Sequence, residues 1–237
     1  MRVPRIETLS PKELLRVTKR QREQQRASKA AGTERQVISC RGLDFSVHAS
    51  VFPPRHDTAL LIASMPATDG LSVLDLGTGC GAIAVHAARQ GARLVLALDI
   101  NPAAIANAAE NVQRHDLSHL VECRVSDVFD AVPREARFDL VAANLPGRSL
   151  EAPDLTAQAQ WDTGFRTHRH FFSEVRKFLT PEGRIVMTKA NYPEINDALQ
   201  LAQNASFAVE ILARAPMIGD DPRVYYALQF RAAWDHG

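Results

Sequence analysis

Cysteine is scarce in this chain. Cys40, Cys80 and Cys123 stand far apart, which excludes a disulfide framework and paired metal-ligand spacing. Reduced thiols are expected and a metal site is not, because no His, Asp, Glu and Cys residues cluster at ligand spacing. Net charge is nearly absent: 28 bases face 27 acids, so the whole molecule signals neither nucleic acid nor an acidic membrane surface. No uncharged apolar run reaches the roughly 20 residues of a membrane span, and the first ten residues lack the apolar centre of a secretion signal. These absences predict a cytoplasmic protein with no membrane association. With 237 residues, 46% of them hydrophobic, one main domain with an appendage is expected.

What is present is unevenly placed. Residues 1–41 carry eleven bases and four acids, a local charge of +7 that leaves −6 on the remainder. Ser10 followed by Pro11 is a cap and first helical position, and Gly32 is a stop, so a helix is predicted over 11–31. Leu14, Leu15 and Val17 give it a thin apolar stripe near its start, which predicts packing by that end alone. Such a basic arm reads either as a phosphate-binding element, RNA being the natural partner, or as a solvated charged face. Residues 37–51 alternate around Gly42 as a hairpin does, Pro53 and Pro54 end it, and a short helix follows over 58–65. The expected division is an arm and β-hairpin over 1–50 and the main domain over 51–237.

From there the pattern is regular. Apolar runs at 71–76, 94–98, 120–125, 140–143 and 185–187 read as buried parallel strands separated by helices. One helix runs over 81–90 with Gly91 as its stop. Another is capped by Asn101 and Pro102, with Ile105, Ala109 and Val112 on one face, and a third spans 165–179 before Thr180 and Pro181. Two β-like runs, 208–213 and 224–230, close the chain with no helix between them, as an antiparallel pair would. The fold class is α/β, a doubly wound Rossmann-like sheet whose ligand crevice lies at the carboxyl ends of the strands.

Those strand ends carry the chemistry. Asp75-Leu76-Gly77-Thr78-Gly79-Cys80-Gly81 follows the first strand and opens a helix, where glycines admit a ligand to the backbone and the helix start offers unpaired N–H groups. Gly77, Gly79 and Ala82 also satisfy a dinucleotide pattern, so the glycines alone leave the cofactor open. Asp75 weighs against a pyrophosphate and for the ammonium and sulfonium charges of S-adenosylmethionine. Asp99, followed by Ile100, ends the second strand 24 residues on, close to the spacing at which an acid binds ribose hydroxyls; helix capping at Asn101 is its plainer use. Asp127, followed by Val128, ends the third strand, where a carboxylate can accept from an adenine amino group. Asn144-Leu145-Pro146-Gly147 ends the fourth; the Asn144 side-chain oxygen and the Leu145 carbonyl can accept from one substrate amino group, although Asn-x-Pro is also ordinary turn chemistry.

In order, DLGTGCGAIAV at 75–85, Asp99, Asp127 and Asn144 to Pro146 resemble the class I S-adenosylmethionine-dependent methyltransferases. More narrowly the chain is similar to the group holding the release-factor glutamine N5-methyltransferases and the small-domain RNA N-methyltransferases. Pro54-Arg55-His56-Asp57-Thr58 matches that group's Pro-Arg-x-Asp-Thr segment, and Trp161-Asp162-Thr163-Gly164 stands where the group has an Asp-Gly loop. The resemblance covers residues 45–190. It implies S-adenosylmethionine as cofactor, sheet order 3-2-1-4-5-7-6 with strand seven antiparallel, catalytic roles for Asn144, Leu145 and Pro146, and cofactor contacts from the 75–81 loop, Asp99, Ile100, Asp127, Val128, Asn144, Arg55 and Thr58.

The chain departs from that group at Leu145, where a proline is usual, at Gly147, which removes an aromatic ring that packs on the planar acceptor, and at Ala59, which replaces a glutamate. Its N-terminal region is also shorter than the helical bundle that recognises release factors. The acceptor expected is therefore a small molecule or peptide, methylated on nitrogen; an RNA or translation factor, or a non-catalytic role in binding the cofactor, are the alternatives. His168 and His170 are either surface residues or proton acceptors near the cleft, and Arg148 and Arg166 are weaker candidates for an acidic group on the acceptor.

Overall fold

A computed structural model describes residues 3–30 and 35–233. A helix α1, Pro11–Ala30, leads into a two-stranded antiparallel hairpin of β1, Gln36–Cys40, and β2, Leu43–Val47. After α2, His56–Ser64, the main sheet forms from β3, Ser72–Leu76; β4, Leu94–Asp99; β5, Val121–Val125; β6, Phe138–Ala143; β7, Leu179–Ala190; β8, Phe207–Pro216; and β9, Val224–Ala232. Its helices are α3, Ala82–Arg89; α4, Pro102–Arg114; a single turn α5, Leu155–Gln158; α6, Arg166–Glu174; and α7, Glu194–Asn204. The spatial order is β5-β4-β3-β6-β7-β9-β8, with β9 antiparallel to both neighbours and β3 to β7 parallel. This is the expected order, and the two closing strands pair as expected.

Helices cover both faces of the sheet, which is why its central strands are continuous apolar runs. Val73, Val95, Leu140 and Val186 face one core with α3, Leu61 of α2 and Phe45 of the hairpin. Leu74, Leu96, Val141 and Ile185 face the other with Phe171, Phe172 and α7. The hairpin is pinned by amides of α4: the Asn111 side chain accepts from the Ser46 N–H at 2.9 Å and donates to the Ser46 carbonyl at 2.7 Å. Buried backbone groups of a short two-stranded ribbon are satisfied in this way.

Several boundaries differ from expectation. The 11–31 helix is observed as Pro11–Ala30, with residue 31 outside the described residues, and Ser10 and Glu13 form a capping box (Ser10 N–H to Glu13 Oε2, 2.9 Å). Of its stripe only Val17 is buried; Leu15 is exposed, because the helix rests on the domain along the line of Leu14, Val17 and Gln21. The hairpin ends at Val47, with a turn over 48–50, and the helix expected over 81–90 begins after Gly81, whose φ of +86° makes it the cap. Strand β5 is half-exposed, being the sheet edge. On α4 the buried face is Ala104, Asn107, Ala108, Asn111 and Val112, and Ala109 points to solvent. The helix expected over 165–179 is shorter: Phe165 has φ +60°, the last turn over Val175–Phe178 tightens to 3-10 geometry, and Leu179 already pairs in β7.

Gly183 marks where the register of β7 against β6 shifts between Phe138 and Leu140. A Cβ there would lie 2.8 Å from the Phe138 carbonyl oxygen and 2.9 Å from that of Thr180, both backbone atoms that cannot swing aside. Gly183→Ala is expected to destabilise the fold by about 1–3 kcal/mol, seen as a fall in thermal midpoint of about 2–12 °C for a domain this size.

Candidate active site

A cleft of about 640 Å³ opens at the carboxyl ends of β3, β4, β6 and β7, the end at which doubly wound sheets hold ligands. Its floor is the loop after β3. Gly77 and Thr78 donate backbone N–H bonds to the Leu98 carbonyl at 2.8 and 2.9 Å, so the loop is stapled to β4. Gly77 and Gly79 have φ of +79° and +57°, and a Cβ at either would find its nearest neighbour only at 3.8 and 3.6 Å, a backbone cradle open on its cleft side. Thr78, Gly79 and Cys80 line it, and burial pushes the Cys80 thiol up to about 12, which keeps it protonated and unreactive.

Asp75 is not in the cleft wall, against expectation. It is fully buried beneath the loop, where Oδ2 accepts from the Thr78 hydroxyl at 2.6 Å and the Ala84 N–H at 3.1 Å. Burial raises its pKa to about 7, and Oδ1 has no partner. Asp75 therefore shapes the loop, and the acids that line the cleft are Asp57, Asp99 and Asp127.

Asp99 accepts from the Gly79 N–H at 3.0 Å and the Asn101 N–H at 2.9 Å, so it ties the loop to the start of α4 while one edge faces the cleft beside Ile100. Both of the uses foreseen for it are compatible, since each carboxylate oxygen keeps a second lone pair. Asp127 and Val128 line the far wall. Val128 holds φ +51°, an unfavourable conformation for a β-branched residue, at the turn out of β5. Asp127 already has a partner in Arg166 (Nη1 to Oδ2, 2.9 Å), so Arg166 is not a free anion binder.

At the end of β6 the Asn144 amide is held from both sides. Its Nδ2 donates to Asp57 Oδ2 at 3.2 Å and lies 3.4 Å from Thr58 Oγ1, both in the first turn of α2; its Oδ1 accepts from Thr188 Oγ1 at 3.1 Å. The amide orientation is thus set by a carboxylate that can only accept and a hydroxyl that can donate. Arg55 is exposed at the rim, its guanidinium 4.9 Å from the Phe52 ring centroid.

The Leu145 carbonyl is occupied. Lys189, near the end of β7, donates from Nζ to the carbonyls of Leu145 and Pro146 at 3.0 and 2.9 Å. This residue lines the cleft yet is only 4% exposed, and burial pushes its amine down to about 7. The sequence reading missed Lys189 and Thr188; their one signal was position, since polar residues closing an apolar parallel strand face the crevice. Gly147 does remove a side chain, but Tyr192 stands against it, its ring 3.4–3.5 Å from where a Cβ would be.

Tyr192 and Gln21 of α1 wall one side of the cleft. Gln21 Nε2 donates to the Tyr192 hydroxyl at 3.1 Å, and both residues line the cleft. Arg148 is 5% exposed, bonded to Glu194 at 3.2 Å and to Thr18 Oγ1 at 2.9 Å, with its guanidinium over the Tyr192 ring. It clamps α1 to the domain and is not free to bind an acidic ligand group. His168 is fully buried behind the cleft, contrary to a surface position. Its Nδ1 pairs with Asp162 at 2.7 Å, and burial lowers its pKa to about 3, so it stays neutral. His170 is half-buried edge-on to Phe129, and neither histidine lines the cleft. No cluster that could hold a metal ion occurs among the described residues.

The fold and this cleft together define a methyltransferase. A profile of the family described as methyltransferase domain matches residues 67–227, and the chain belongs to that family of S-adenosylmethionine-dependent enzymes. Over 184 residues it is 26% identical to a Methanocaldococcus jannaschii protein provisionally named protein N5-glutamine methyltransferase, covering 75% of this chain and 91% of that one. Over 106 residues it is 42% identical to the release factor glutamine methyltransferase of Cereibacter sphaeroides, covering 44% of this chain and 37% of the other. The match thus spans well under half of that release-factor enzyme. Among solved structures, a T. thermophilus 16S rRNA methyltransferase in complex with AdoMet and guanosine shares the fold at TM-score 0.62 and 21% identity, over 84% of this chain and 50% of that one. No helix among the described residues is long and apolar enough to cross a membrane.

Proposed function

We propose that this enzyme methylates a nitrogen of a small molecule or of a single peptide side chain, held against Asn144. When bound, S-adenosylmethionine supplies a methyl group already activated by the sulfonium charge, so the protein's task is to position and to manage a proton. The open cradle of Gly77, Thr78, Gly79, Cys80 and Gly81, with Asp99 and Ile100 toward the ribose and Asp127 and Val128 toward the adenine, is the donor site in this reading. Arg55 and Thr58 belong to the rim where donor and acceptor meet.

The observation that carries the reading is the Asn144 amide, clamped by Asp57, Thr58 and Thr188 with a lone pair of Oδ1 left for an acceptor N–H. The acceptor compartment beside it is walled by Gln21, Tyr192 and Tyr225, which favours one small group over a folded domain. A glutamine amide in a peptide, the target named for two of the relatives, falls within this class. Arg20 of the arm faces the Asp220 and Asp221 carboxylates at 3.7 Å each, which reduces the charge free to meet phosphate, and Arg16 donates to the Asp220 carbonyl oxygen at 2.7 Å.

Incubation with methyl-labelled donor and separated metabolite, peptide and RNA fractions tests the proposal. Label is expected in metabolites or peptides. Label in RNA, with steeply salt-dependent binding that weakens when exposed Lys12, Lys19 and Arg22 are replaced by alanine, would instead establish the arm as a phosphate-binding element.

A further inference from the structure

Lys189 is the least ordinary group in the cleft. Its Nζ stands on the two carbonyls that directly follow Asn144, within the wall of the cleft, and no carboxylate lies within 4.0 Å of it among the described residues. The charged groups facing it come from four directions, and each acid is already engaged. Asp57 of α2 accepts from Asn144 and from the Thr58 N–H. Asp162, before α6, accepts from the His168 ring and from the N–H groups of Thr167 and His168. Glu194, opening α7, accepts from Arg148 and the Ser149 N–H. His168 of α6 is held neutral.

A neutral amine has two N–H groups and one lone pair. Two N–H groups match the two carbonyls, and the lone pair is left over. An ammonium in the same place would carry a third N–H and a charge with no paired counter-ion, and burial disfavours it. A buried lysine depressed in this way is poised to take protons.

We infer that Lys189 is the proton acceptor of the transfer, taking through Nζ the proton that the acceptor nitrogen gives up beside Asn144. The inference rests on the function proposed above. The acceptor nitrogen's lone pair forms the new bond to the methyl carbon, and the carbon–sulfur bond breaks with its electron pair remaining on sulfur. The proton lost by that nitrogen passes to the Nζ lone pair, giving an ammonium that returns its proton to solvent through the cleft mouth.

Lys189 is one of five lysines, so its Nζ can be followed by NMR of lysine-labelled full-length protein saturated with S-adenosylhomocysteine. Its titration is expected near pH 7; an Nζ still charged at pH 9 overturns the inference. Turnover on the labelled fraction is expected to rise with pH through the same midpoint in the unsubstituted enzyme. In both Lys189→Met and Lys189→Arg it is expected to fall by about 100-fold or more, the contribution of a general base, with added ethylamine restoring part of it in the methionine variant. Arginine keeps N–H donors but is permanently protonated and cannot accept a proton, so an arginine variant within about threefold of the parent overturns the inference, since loss of a base costs far more. Heat on injecting S-adenosylhomocysteine is expected to be unchanged in both variants. A variant that loses it overturns the inference by showing that Lys189 holds the donor site, whereas absence of that heat in the unsubstituted protein counts against the proposed function.

Discussion

Asn144→Ala is expected to lower methyl transfer by about 100-fold or more, the scale on which removal of one preorganised polar contact acts at a reacting centre. Donor affinity should stay within about threefold, because in the proposed reading the donor is held chiefly by the loop after β3 and by the ends of β4 and β5. The physical reason is the clamp on the amide. Asp57 and Thr58 fix Nδ2 and Thr188 fixes part of Oδ1, so the remaining lone pair has one direction. Alanine leaves Asp57, Thr58 and Thr188 without that partner, and water entering the gap can satisfy them without orienting an acceptor. Single-turnover transfer to the labelled fraction, compared with calorimetry on S-adenosylhomocysteine, separates the two effects. Transfer within tenfold of the parent enzyme would remove Asn144 from the reaction.

Replacing Asp99 should act on the other half of the site. Asp99→Ala removes an acceptor from the Gly79 and Asn101 N–H groups and, in the proposed donor site, from the ribose hydroxyls. Hydrogen bonds to a charged group are worth about 1.5–3 kcal/mol each, so losing one of them predicts donor binding weaker by about 10- to 100-fold. The fold should persist, since the β3–β4 pairing and the apolar core do not depend on this side chain. Calorimetry with S-adenosylhomocysteine reads the affinity and a thermal melt reads the fold. An affinity unchanged in a well-folded variant would place the ribose elsewhere.

The two substitutions together test the proposed division of the cleft into a half that holds the donor and a half that orients the acceptor. That division follows from the chain path. The loop after β3 and the end of β4 are joined by backbone hydrogen bonds, whereas Asn144 is joined to α2 and β7 by side chains. A backbone-built site tolerates many side chains, and a site built by side chains can be retuned by single substitutions. Leu145 and Gly147, two of the positions at which this chain departs from the group it resembles, lie on the side-chain-built half.

Much of the architecture was legible because it is written in local pattern. Continuous apolar runs spaced by capped helices imply a parallel sheet covered on both faces, and two β-like runs without an intervening helix imply an antiparallel closing pair. Both are observed. The glycine loop and Asn144 were legible because residues at the ends of parallel strands converge on one crevice. Boundaries were less so: the turn after Glu174 tightens, and Leu15 faces solvent, because neighbouring elements decide both.

What residue types and their order determined was the sheet, the crevice and a glycine loop suited to a methyl donor, since backbone hydrogen bonding and hydrophobic period act within short stretches of chain. Only the tertiary structure decided that Asp75 lies under the loop, that His168 is buried and neutral, that Tyr192 stands where Gly147 left room, and that the Leu145 carbonyl is bound by Lys189. Each of those outcomes joins residues from different elements, Leu145 and Lys189 being 44 positions apart. Burial, the quantity that sets their charge states, is a property of the packed assembly and is carried by no single segment.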